Sequence, residues 1–116
     1  MSQWQIDIRG SMVNLDRLKD EIVEKLKPIK PEKIILFGSY AYGKPNENSD
    51  IDLCIVEKDY KNRWAEKRKI RNLLKNIKLS KDILNPKVEE FNFYKNEINS
   101  VYYEIDKKGI VLWENS

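Results

Sequence analysis

The sequence contains no histidine, so imidazole metal ligands and histidine general bases are excluded and carboxylates must carry any such chemistry. It has a single cysteine, Cys54, and therefore no internal disulfide, in keeping with a reducing compartment. No apolar run approaches the roughly 20 residues that a membrane-spanning helix needs, and no signal-peptide pattern opens the chain, so a cytoplasmic location is expected. There is no internal repeat and no low-complexity tract. What remains is a chain of 116 residues, 41% apolar and 35% charged, with a net charge of only +3. One compositional regime over that length predicts a single domain with one core and no room for a second.

The most informative stretch runs from Lys33 to Glu57, KIILFGSYAYGKPNENSDIDLCIVE. Ile34 to Phe37 form a short apolar run stopped by Gly38-Ser39, the pattern of a strand buried on both faces. A loop rich in Gly, Pro, Asn and Ser follows. Asp50-Ile51-Asp52-Leu53 then alternates strictly, which places both aspartates on one face of a second strand and the apolar residues on the other. Two carboxylates side by side repel unless a cation joins them. Magnesium suits the position, since it takes hard oxygen ligands, needs only one or two carboxylates, and completes its shell with water and substrate phosphates. Gly38 lets the backbone approach a ligand closely, while Ser39 offers a hydroxyl and an N–H to a phosphate. A surface hairpin with solvated aspartates is the plain alternative. The Gly-Ser on one strand end and Asp-x-Asp on the next, ten residues apart, argues against it.

These residues, GSYAYGKPNENSDID, resemble the signature of the nucleotidyltransferase superfamily related to DNA polymerase beta, and most closely its minimal MNT-type members, the antitoxins paired with HEPN toxins. The likeness is specific from Lys33 to Val56 and rests on layout elsewhere. One departure is Tyr42, where many members carry arginine, which removes a phosphate contact from that position without touching the metal site. The fold implied is α+β, a small mixed sheet with helices packed mainly on one face.

The remaining sequence fits that layout. Residues 1–11, ahead of a second methionine at Met12, are expected to be a disordered or vector-derived leader, although Trp4, Ile6 and Ile8 alternate as a short strand would; residues 12–116 then make the single domain. Asn14 caps a helix with Leu15, Leu18, Ile22 and Leu26 on one stripe, ending at Pro28. Tyr60 to Lys78 predicts a second helix with Trp64, Ile70, Leu73, Leu74 and Ile77 on its apolar face and eight Lys and Arg against Glu66 opposite. That basic face fits RNA or an acidic partner, but a solvated helix face is the favoured reading in a chain whose net charge is only +3, and no aromatic-rich stacking motif accompanies it. Leu79 to Leu84 is strand-like and ends at Asn85-Pro86. If it pairs beside the Asp-x-Asp strand, Asp82 enters the same site; the alternative leaves it at a sheet end beside Lys81. Val88 to Ile105 suggests a long or broken helix capped by Gly109, and Ile110 to Trp113 a closing strand.

The expected site is therefore Asp50, Asp52 and Asp82 as magnesium ligands and catalytic acids, with Gly38, Ser39 and Ser49 at the nucleotide. Two magnesium ions and ATP are the implied cofactor and substrate. Asp82 doubles as a proton acceptor. With no room for an acceptor-binding domain, the acceptor surface must come from a partner. The resemblance implies a HEPN toxin whose hydroxyl, a tyrosine, receives AMP. The alternatives are an antitoxin that only covers the toxin, and a transferase acting on a small molecule or RNA.

Overall fold

The computed structural model describes residues 4–6, 12–43, 45 and 49–115, and the side chains of 4–6 and 12–14, Asn14 among them, lie outside that description. Of the expected leader only 4–6 are described. Trp4–Ile6 form strand β1, paired antiparallel with β2, Met12–Asn14. Helix α1 spans Leu15–Leu26, with Leu15, Ile22 and Leu26 buried as their spacing requires, and Pro28 converts its end into a single 3-10 turn. Strand β3, Lys33–Phe37, buries its three central residues. The loop after it opens with a single helical turn that sequence pattern does not reveal, α2, Ser39–Tyr42.

Strand β4 covers Ile51–Val56. Helix α3, Arg63–Leu73, starts where the Asn62 side chain accepts a hydrogen bond from the Ala65 N–H at 3.0 Å. It is shorter than its basic stretch, and Trp64 does not join its apolar face: the indole is 77% exposed. Strand β5, Lys81–Leu84, stops before Asn85-Pro86. The expected long helix is broken into α4, Val88–Tyr94, and α5, Val101–Lys108, the latter capped by the Ser100 hydroxyl, which accepts from the Tyr102 N–H. Gly109 ends it, and a Cβ there would stand 2.5 Å from an Ile35 methyl carbon. Strand β6, Ile110–Glu114, closes the described chain.

Strands β5, β4, β3 and β6 form one sheet in that order, β4 and β5 parallel and the other pairs antiparallel. This is the mixed α+β sheet that the sequence implies. The larger core lies on one face, where Ile34, Leu36, Leu53 and Ile55 meet Ile22 and Leu26 of α1 and Ile70 of α3. Each such side chain contributes about 1.5–3 kcal/mol by leaving water. A thinner layer covers the other face, where Ile35, Cys54 and Val56 meet Phe91 of α4 and Ile105 of α5. The Cys54 thiol is fully buried and pushed up to about 12 by desolvation, so it is an inert core group.

Just past β4, Glu57 is only 4% exposed and its Oε2 accepts from Asn85 Nδ2 at 3.0 Å. Burial, followed by the Glu66 carboxyl hydrogen-bonded to it, pushes Glu57 up to about 7. A carboxyl raised on folding stabilises the fold fully below its unfolded value and loses that contribution as pH climbs through the folded value. Between pH 5 and pH 8 the wild type is therefore expected to lose about 1–2 kcal/mol that Glu57→Gln keeps, because glutamine donates to Glu66 at every pH. Urea midpoints at the two pH values check this. An equal pH slope in both proteins would remove Glu57 from the account.

Candidate active site

The site forms where β3 stops and β4 begins. Gly38 follows β3 with φ of 73°, a left-handed conformation that side chains avoid, and a Cβ built there would overlap the Asp52 carboxyl, standing 2.9 Å from its Cγ. The glycine is thus required twice, by the backbone turn and by the carboxylate packed on it. The turn continues directly into α2, where the Ala41 and Tyr42 N–H groups donate to the Gly38 carbonyl at 3.0 and 3.1 Å. Ser39 is the first residue of that turn and is partly exposed.

Register brings the carboxylates together. Phe37 of β3 is the partner of Asp52 on one side, and Asp82 of β5 is its parallel partner on the other. Residues paired in a parallel ladder present side chains on the same face, so Asp82 lies beside Asp52 rather than at an unrelated sheet end. The ladder is continued by the Ile51 N–H, which donates to the Ser80 carbonyl at 2.8 Å. Alternation along β4 turns Asp52 to the same face as Cys54 and Val56, the face that carries α4 and α5. Asp50 is exposed immediately before the strand.

The electrostatics report the same grouping. The Asp52 carboxyl is raised above the ordinary carboxylate range by its own burial first, then by the negative charges of Asp82 and Asp50. Such mutual repulsion is what a bound cation relieves. Among the described residues no group of three or more Asp, Glu or Cys side chains is placed to hold a metal ion together. Magnesium takes one or two protein carboxylates beside a phosphate-bearing substrate, and the paired Asp52 and Asp82 are of the donor type it uses. Ser49 is partly exposed next to Asp50, and Tyr42 is 50% exposed at the end of α2.

Residues 15–112 match the model of the nucleotidyltransferase domain family. The chain belongs to that family. As a nucleotidyltransferase it is 32% identical over 101 residues, 78% of this chain and 97% of the relative, to a Methanocaldococcus jannaschii protein named "Putative protein adenylyltransferase MJ0141". Its fold resembles a chain of a toxin–antitoxin crystal structure with AMP-PNP, at a TM-score of 0.61 and 23% identity, covering 84% of this chain and 74% of that one. It also resembles a chain in the complex of a tri-AMPylated Shewanella oneidensis HEPN toxin with its MNT antitoxin, at 0.55 and 18%, covering 86% and 72%. At these identities the structural likeness speaks for the fold. No helix among the described residues is long and apolar enough to cross a membrane.

Proposed function

We propose that this nucleotidyltransferase is the antitoxin of a toxin–antitoxin pair and transfers AMP from ATP to a hydroxyl, a tyrosine, of a partner HEPN toxin. The observation that carries the reading is the in-register pairing of Asp52 with Asp82, with the Asp52 carboxyl seated against the Gly38 turn. The M. jannaschii relative's name and the AMPylated toxin in a neighbouring complex supply the direction of the chemistry.

In the reaction the acceptor oxygen attacks the α-phosphorus of ATP, a new P–O bond forms, the bond to the β-phosphate bridging oxygen breaks, and pyrophosphate leaves. The Gly38 turn holds the Asp52 carboxyl against the backbone beside Ser39, the Ser39 hydroxyl and N–H hold the phosphate oxygens, and Ser49 contacts the nucleotide from the other end of the loop. Asp50 and Asp52 would hold magnesium, and Asp82, level with Asp52 on β5, would face the acceptor side. Magnesium, when bound, neutralises developing phosphate charge and makes the acceptor hydroxyl acidic. Asp82 orients that hydroxyl and accepts its proton.

The test uses the wild-type chain, ATP, magnesium chloride and a HEPN toxin as acceptor, read by intact mass. Enzymatic neutralisation requires far less than one equivalent, because each molecule turns over and the AMP group persists after it leaves. Protection that rises linearly to one equivalent with no mass change on the partner would favour an antitoxin that acts by covering alone.

A further inference from the structure

Between Lys61 and Ser80 the chain carries eight Lys and Arg and one acid, Glu66. The structure changes what that segment presents to solvent. The Glu66 carboxyl turns inward to hydrogen-bond Glu57, so the outer surface of α3 keeps no anion of its own. In the same first turn Arg63 is held by Glu90 at 2.6 Å. Helix geometry sets two of the remaining cations on one stripe with Trp64. Trp64, Arg68 and Arg71 fall at i, i+4 and i+7, one stripe about 10 Å long opposite buried Ile70, with Lys61 just before the N-cap Asn62 and Lys75 just past the C-cap Leu74. All five are exposed, Trp64 at 77%, and the four cations make no ion pair with a described residue.

We propose that this outer face of α3 is a binding surface for unpaired RNA, with Trp64 as the base-stacking platform and Arg68, Arg71, Lys75 and Lys61 as phosphate contacts. The choice of partner follows from the aromatic residue. A polyanion such as an acidic peptide or duplex DNA would satisfy the cations but gives a solvent-exposed indole no flat partner, whereas a single strand supplies phosphates and free base faces together. Trp64, which sequence spacing assigns to the core, is the stacking residue whose absence otherwise favours a solvated face. Because α3 packs on the sheet face opposite the one that bears Asp52, RNA held there leaves the carboxylates open to nucleotide and acceptor.

The probe is a fluorescently labelled, unstructured 12-nucleotide RNA, followed by anisotropy with the full chain. Neutralising three or four phosphates predicts a logarithmic salt slope of about −2 to −3, a loss of roughly 20- to 50-fold in affinity between 50 and 200 mM potassium chloride. Trp64→Ala is expected to weaken binding about tenfold, and Arg68→Glu with Arg71→Glu to abolish it. Both should leave circular dichroism and nucleotidyl transfer unchanged, since neither side chain packs in the core. As a charge control, Lys107→Glu with Lys108→Glu on α5 should change affinity less than threefold. Binding by Trp64→Ala equal to wild type, an equal loss in the α5 control, or tighter binding to duplex DNA, polyglutamate or phosphatidylserine vesicles than to the RNA would each overturn the proposal.

Discussion

A chain carrying Asp50→Asn and Asp52→Asn is expected to fold normally and to lose at least ~1000-fold of its magnesium-dependent transfer, the scale on which removal of preorganised charge stabilisation acts. The two consequences have one cause. At neutral pH Asp52 is a partly buried carboxylate held against two others, and its proton affinity is raised by that burial and by Asp82 and Asp50. The wild-type fold therefore tolerates a repulsion that the double mutant lacks, and the mutant's urea midpoint should equal or slightly exceed that of the wild type. Magnesium with ATP should raise the thermal midpoint of the wild type by mass action and leave the double mutant's unmoved. Transfer is measured with labelled ATP and the partner protein. A folded double mutant that transfers at the wild-type rate would falsify the assignment of these carboxylates.

The parts of this site that were legible in the sequence are those fixed by local rules. Period-2 alternation put Asp52 on one face of β4, with Asp50 falling just before the strand, and the stop at Gly38 marked the end of β3, because both depend only on neighbours along the chain. The position of Asp82 depended on strand pairing, which sequence could pose only as a condition. The ladder of β4 with β5 meets that condition by setting Asp82 level with Asp52. The reason that Gly38 must be glycine was half visible: its turn was expected, but the Asp52 carboxyl lying where a Cβ would go is a tertiary contact between two strands.

Other features were hidden for the same reason. Trp64 obeys apolar spacing only loosely, and a residue in the first turn of α3 lies beyond the edge of the sheet core, so its ring remains in water. The α2 turn is too short to carry a period. Glu57 reads as the polar end of β4; its burial comes from Asn85 and Glu66, each brought in from a different element. The break between α4 and α5 lies at residues 95–100, where Ser100 restarts the helix as a cap, a signal available in the sequence but masked by apolar residues on both sides of it.

Asp82→Ala is expected to separate nucleotide binding from transfer. Asp50 and Asp52 suffice for a magnesium triphosphate, since that ion keeps several waters and uses one or two protein carboxylates, so affinity for ATP should stay within a few-fold of wild type. Asp82 stands level with Asp52 on the neighbouring strand and is the more exposed of the two, a position suited to the incoming hydroxyl rather than to the phosphates held by Ser39. Its loss removes the group that orients that hydroxyl and takes its proton, and the transfer rate should fall at least ~100-fold, the low end of what a positioned acid or base contributes. Calorimetry with ATP and magnesium measures the first quantity and intact mass of the acceptor the second. A mutant that transfers at nearly the wild-type rate would return Asp82 to the role of a sheet-end residue and move the search to Glu89, Glu90 and Glu97; a mutant that no longer binds ATP would place Asp82 on the nucleotide side of the site, beside Asp52.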